Sequence, residues 1–173
     1  LTSNQALANG RFPRAQQLIE DPADPDHLIL RATYGVLRTQ DGGKSWFWIC
    51  EKAIGYTGTE DPALGLTQSA RLLAGVFDGL ASSPDTGCSW SFAGGPLAER
   101  YVVDLTVERQ DRAGALAMVW MGQGGGVFLN QLHRTVDAGA TWSQLGPDLP
   151  DDLLVLTLDP APSDPTRIYL TAL

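Results

Sequence analysis

The chain has 173 residues, 43% of them apolar and 18% charged, which suits one globular domain with its own core rather than a disordered segment. Twenty acidic residues against twelve basic give a formal charge of −8, a field that repels phosphate backbones and anionic lipid and argues against a nucleic-acid partner. No run approaches the roughly eighteen apolar residues of a membrane span, and residues 1–10 lack the basic and apolar regions of a secretion signal, so any leader is expected to be removed or to lie outside this chain.

Taken in chain order, the sequence repeats itself. The first unit predicts short strands at 17–20, 28–33, 36–39 and 45–50, with Asp21, Asp24 and Asp26 broken by Pro22 and Pro25 into a turn rather than a calcium loop. Its apolar run Leu28-Ile29-Leu30 leads to Thr39-Gln40-Asp41-Gly42-Gly43-Lys44-Ser45-Trp46. In the second unit Leu72-Leu73-Ala74 leads to Ser83-Pro84-Asp85-Thr86-Gly87-Cys88-Ser89-Trp90. The third, with strands predicted at 102–108, 115–121, 127–135 and 141–145, runs from Leu116-Ala117-Met118 to Thr135-Val136-Asp137-Ala138-Gly139-Ala140-Thr141-Trp142. Every copy has the form Ser/Thr-x-Asp-x-Gly-x-Ser/Thr-Trp, here called the box. From the start of each apolar run to the box aspartate is 13, 13 and 21 residues, so the third unit carries an insertion of about eight, expected at the glycine-rich stretch 122–126 as a long flexible hairpin. Ile168-Tyr169-Leu170 begins a fourth unit, with strands predicted only at 153–158 and 167–173.

No sustained 3.6-residue period interrupts these runs, so the chain reads as all-β. Four short strands per repeat of about 44–52 residues match the antiparallel blades of a β-propeller. The expected blades lie at about 15–50, 62–93 and 101–145, with half a blade at 153–173, in one propeller segment spanning 1–173. Propellers avoid exposed sheet edges by closing a ring of about four to eight blades, so the expected structural partners are further blades of the same propeller or a second copy of the chain.

The box residues have local physical tasks. Asp41, Asp85 and Asp137 are placed to accept backbone N–H bonds that close a hairpin, and Gly43, Gly87 and Gly139 to take positive φ. Ser45, Ser89 and Thr141 offer a second hydroxyl bond as the outgoing strand begins, while Trp46, Trp90 and Trp142 are expected to wedge between neighbouring sheets. The motif is therefore read as a folding device and not as a catalytic or metal site. Cys50 and Cys88 have no zinc-type spacing; adjacent blades leave them as two free thiols or bring them together as a disulfide. His27 and His133 are read as exposed or hydrogen-bonded strand residues. No metal or cofactor is expected. The contact surface is expected at the departure from the repeat length, with Trp120, Met121, Gln123 and Phe128 as its residues.

The thrice-repeated motif resembles that of the Asp-box, or BNR, repeat family, whose members include sialidases, sortilin-type receptors, xyloglucan hydrolases and photosystem assembly factors. The resemblance covers essentially the whole chain. It implies a propeller with its boxes on the outer rim, and it leaves the activity open because the family is functionally mixed. Sialidase-like members carry an early Phe-Arg-Ile-Pro motif, three arginines and a tyrosine paired with a glutamate. This chain has Arg11-Phe12-Pro13-Arg14, in a different order, and Glu99 and Tyr101 on what reads as a connection between blades, so no catalytic residue is assigned. The resulting expectation is a non-catalytic, secreted bacterial binding or scaffolding module, extracellular or in the cell envelope, with a protein or glycan partner. The alternative is a glycoside hydrolase propeller, sialidase- or xyloglucanase-like, whose acids lie largely outside this chain.

Overall fold

The computed structural model describes residues 12–57 and 59–173, so the leader expectation for residues 1–10 and the basic residue Arg11 lie outside it. Four antiparallel sheets follow one another along the chain. The first comprises β1 (Ala15–Asp21), β2 (Asp24–Ala32), β3 (Gly35–Thr39) and β4 (Phe47–Ile49). The second comprises β5 (Ala63–Leu66), β6 (Leu72–Val76), β7 (Gly79–Ser83) and β8 (Ser91–Phe92). The third comprises β9 (Tyr101–Val107), β10 (Ala115–Gly124), β11 (Val127–Thr135) and β12 (Ser143–Gln144). The fourth has two strands, β13 (Val155–Ala161) and β14 (Asp164–Ala172). Helix is confined, among the described residues, to the single turns α1 (Glu51–Ile54) and Gly95–Leu97, both on connections between sheets.

The strand boundaries shift from the expected ones for local reasons. β2 begins at Asp24 and tolerates Pro25 because the neighbouring ladder with β3 starts only at Leu28, so no bond on that side is lost. The carboxylates of Asp21 and Asp24 accept the N–H groups of Ala23 and Asp26, which makes the acidic cluster a turn, as expected. β4 and β12 are shorter than the runs expected at 45–50 and 141–145, because the box Ser/Thr and Trp stay in the turn.

The first strands of the sheets line up, β1 beside β5, β5 beside β9 and β9 beside β13, and the sheets pack face to face behind them. One core lies between the first and second sheets, including Ile29, Val36, Leu64 and Leu72. A second, including Leu73, Leu80, Val102 and Leu105, lies between the second and third. A third, including Leu116, Met118, Val155 and Leu158, joins the third sheet to β13 and β14. Position in the stack explains composition. The second sheet is covered on both faces, so β6 and β7 are buried at every position and β6 reads as an unbroken apolar run. Gly75 lets β9 come close, since a Cβ there would stand 2.7 Å from a methyl of Val102. β14 has a face without a neighbour among the described residues and is mostly exposed.

Candidate ligand-binding face

The boxes close the β3–β4, β7–β8 and β11–β12 turns by one bonding scheme. Oδ1 of Asp41 accepts the Ser45 N–H at 2.9 Å and the Thr39 hydroxyl at 2.7 Å, and Oδ2 accepts the Ser45 hydroxyl at 2.5 Å. Asp85 does the same with Ser89 and Ser83, and Asp137 with Thr141 and Thr135. The first-position hydroxyl in turn accepts the N–H of Gly43, Gly87 or Gly139, each at positive φ. Trp46 and Trp90 donate their indole N–H to the carbonyls of Gly43 and Gly87.

The tryptophans differ from the uniform wedge expected of them. Trp142 is 8% exposed in the core between the second and third sheets, with no partner for its N–H among the described residues. Trp90 packs against the core between the first two, while Trp46 is 38% exposed. Trp90 and Trp142 each reach toward the preceding sheet, and the first sheet has none before it among the described residues.

The three carboxyls sit at about 2 instead of the usual 3.8, held down chiefly by the Ser45 hydroxyl at Asp41, the Ser89 hydroxyl at Asp85 and the Thr141 N–H at Asp137. A group depressed in the folded state stabilises it above its unfolded value and loses that contribution as pH falls through the folded value. The stability deficit of Asp85→Asn is therefore expected to be full at neutral pH and to shrink as the pH falls from about 4 toward about 2. Melting temperatures of the two proteins across that range provide the check, and a deficit that does not vary with pH contradicts it.

The cysteines do not form the disulfide considered for them; both are free thiols. Cys88 is exposed in its box turn beside the Arg38 guanidinium, 3.7 Å from Sγ, whereas Cys50 precedes α1 with its thiol toward the Glu51 carboxylate. His27 is buried and bonded through Nδ1 to Asp21 at 3.0 Å. His133 departs from its expected role: it is 1% exposed with neither ring nitrogen bonded among the described residues, and burial lowers its basicity.

The box turns gather at one end of the sheets with the β1–β2, β9–β10 and β13–β14 turns. The β2–β3, β6–β7 and β10–β11 hairpins and the sheet-to-sheet connections occupy the other, the hairpin end. The third-unit insertion lies here, but not as a flexible loop. Compared with β6 and β7, it lengthens both strands, so that β10 and β11 stay paired out to Gly124 and Val127 with a bulge at Gln123. Only Gly125 and Gly126, at φ +63° and +81°, form the turn, the positive pair that a type I′ hairpin requires.

This long hairpin carries an aromatic row. Trp120 pairs across the ladder with Tyr101, and Phe128 faces Gly122 two residues farther along β10. Phe77, at the β6–β7 turn, completes the series Phe77–Tyr101–Trp120–Phe128, with ring centroids 4.5, 5.4 and 5.3 Å apart and successive planes at 68°, 70° and 86°. Such edge-to-face contacts satisfy the ring quadrupoles. Phe77 is 52% exposed, and Met121, beside the row, 38%. Of the expected contact residues, Trp120 and Phe128 are thus in the row, Met121 flanks it and Gln123 lines a cleft at its far end. Phe77 and Tyr101 were not among them. Tyr101 opens β9 rather than lying on a connection, and Glu99 remains outside the row.

The cleft, of about 680 Å³, lies between the long hairpin and the connection to β13, with Gln123, Phe128, Asp148 and Asp151 in its wall. Asp148 accepts the amides of Gln131 and Gln144, each at 2.8 Å, and these hold its carboxyl below the usual range. At the opposite end of the row, Glu60 accepts the Phe77 N–H at 2.9 Å and Asp78 follows Phe77 in the turn. Burial, then the charges of Glu60, Asp104 and Asp61, push the Tyr101 hydroxyl upward. Along the inner edge Asp61 accepts the Gln16 amide, and the Arg31 guanidinium donates to the Pro62 carbonyl at 2.9 Å. Asp104, on β9, accepts the N–H groups of Leu158 and Leu105, yet burial raises its carboxyl above the ordinary range.

The sequence matches no family profile and no curated protein. In structure the chain is similar to an ancestral GH74 enzyme, with TM-score 0.65 and 18% identity over 88% of this chain and 23% of that one. It is similar to the GH74 xyloglucanase of Xanthomonas campestris, at 0.62 and 16% over 91% and 27%. A protein of unknown function from Dyadobacter fermentans gives 0.59 and 16% over 88% and 60%. The chain is a segment of a β-propeller. It spans about a quarter of the length of the GH74 chains, and at this identity the likeness establishes the fold alone. Its sheets are propeller blades, three whole and one half, and β1, β5, β9 and β13 are their inner strands.

Proposed function

We propose that the chain is part of an Asp-box propeller that acts as a secreted or cell-envelope binding or scaffolding module and engages a protein or glycan through its hairpin end. The three box hairpins, each closed by the same carboxylate scheme, support the family reading. The ligand-binding reading is carried by the four-ring row, part-exposed and running into an open cleft, because aromatic side chains left toward solvent in a contiguous run mark interaction surfaces. Further blades, or a second copy of the chain, would complete the ring.

The test is binding to a glycan array and to a peptide library. Trp120→Ala is expected to weaken a bound ligand at least about tenfold, or about 1.4 kcal/mol. Val136→Ala, 66% exposed in a box turn at the other end, leaves affinity unchanged. Equal binding by wild type and Trp120→Ala rejects the hairpin end as the ligand face.

One observation favours a second reading, a glycoside hydrolase propeller. Asp104 is a partly buried carboxyl, raised by desolvation, on an inner strand near Tyr101, the disposition of a general acid. Its partner acid would then come from blades beyond this chain. Release of reducing ends from a polysaccharide, abolished in Asp104→Asn, would establish this reading over the binding one.

A further inference from the structure

Taking the hairpin end as the binding face, we infer that its occupant is an extended polypeptide bearing lysine or arginine side chains, which sit over the faces of the aromatic row and pair with the carboxylates at its two ends. Ring geometry is the first argument. Successive planes turn by 68–86°, so the row is not the flat platform on which a chain of pyranose rings would stack; in each pair one ring's edge covers a face of its neighbour, which leaves the covered ring at most one face for a ligand. A lone π face suits a point-like cation, and such a contact contributes about 0.5–2 kcal/mol.

Charge is the second. Glu60 and Asp78 stand at the Phe77 end and Asp148 and Asp151 at the Phe128 end, on a chain whose formal charge is −8. Two nearby arginines keep their charge and offset part of this field, leaving four carboxylates against two guanidinium groups. Arg31 donates to the Pro62 carbonyl, and Arg100 donates to Gln131, beside Asp148. Length is the third. The three ring-to-ring steps of 4.5, 5.4 and 5.3 Å are covered by roughly five residues of extended chain at about 3.3 Å each. Such a chain places alternate side chains toward the row.

Fluorescence anisotropy of the full chain with three labelled probes tests this: a twelve-residue peptide alternating arginine and serine, its counterpart with glutamate for arginine, and a neutral β-linked glucose hexasaccharide. The arginine peptide is expected to bind and the glutamate peptide not to. Trp120→Ala should weaken the arginine peptide at least tenfold, and Phe77→Ala takes its place if that variant does not melt cooperatively. Asp78→Asn with Asp151→Asn should weaken it about fivefold and flatten its salt dependence. Glu20→Gln with Asp24→Asn, at the box end, removes the same charge and should change affinity less than twofold. Equal losses from the two charge pairs would reduce the attraction to the general field and overturn the inference, as would no peptide binding. Trp120-dependent binding of the hexasaccharide alone would overturn it while leaving the hairpin end as the ligand face. Insensitivity of every probe to Trp120 and Phe77 would remove both.

Discussion

Leu73→Ala is expected to lower the unfolding free energy by about 2–5 kcal/mol, the range for emptying a leucine site in a packed core. Leu73 is fully buried in the core between the second and third blades, and a Cβ at Gly139 would already stand 2.9 Å from it. The residue therefore touches the third box turn as well as its own blade, and alanine would leave a cavity on both sides. Each kcal/mol corresponds to about 2–4 °C of melting temperature for a chain of this size. Leu18→Ala deletes the same atoms from a side chain 62% exposed on β1 and should stay within about 0.5 kcal/mol. Calorimetry of the two variants checks the contrast. Similar melting temperatures would mean that the second and third blades are not packed as described.

The parts of this molecule that could be read from sequence are those made by residues close together along the chain. Asp41 reaches Ser45 and Thr39 within four residues, and the same spacing recurs at Asp85 and Asp137, so each box could be understood before its sheet was seen. The runs at Leu72 and Leu116 marked strands because a doubly covered sheet needs apolar residues on both faces, while the Leu28 run, in a sheet with one neighbour among the described residues, is buried at Ile29 and only half-buried at Leu28 and Leu30. The aromatic row lacked any such local signal. Phe77 meets Tyr101 across two blades, and Tyr101 meets Trp120 through the β9–β10 register, neither of which follows from spacing. The glycines at 122–126 suggested a loop by composition, yet two of them suffice for the turn, and the bonding capacity of the remaining backbone is met by extending the ladder. That extension places Met121 and Phe128 at the hairpin end. Exposure of Trp46 was equally hidden, since the sequence repeats the tryptophan while, among the described residues, no sheet precedes the first.

Asn130→Asp is expected to be more damaging than its isosteric shape suggests. Asn130 is fully buried on β11, and its Nδ2 donates to the carbonyls of Pro150 at 2.9 Å and Leu153 at 2.8 Å, holding the connection that walls the cleft. A carboxylate there would lose both donors and face two carbonyl oxygens out of water. An uncompensated buried charge costs about 3–5 kcal/mol, against roughly 1–3 kcal/mol for the unsatisfied neutral groups left by Asn130→Ala. The sign with pH follows from desolvation. Burial would raise the folded pKa of the new carboxyl above its unfolded value near 3.9, so the charge penalty is absent while both states are protonated, leaving only the loss of one donor, and grows as pH rises from about 4 until the folded form ionises. The stability gap between Asn130→Asp and wild type should therefore narrow on acidification, in urea titrations, while that of Asn130→Ala stays level. If the hairpin end binds the proposed ligand, affinity should fall in both variants, because both free the segment carrying Asp148 and Asp151. A pH-independent gap for the aspartate variant would mean that its carboxylate reaches solvent, and that this connection is not held down by Asn130.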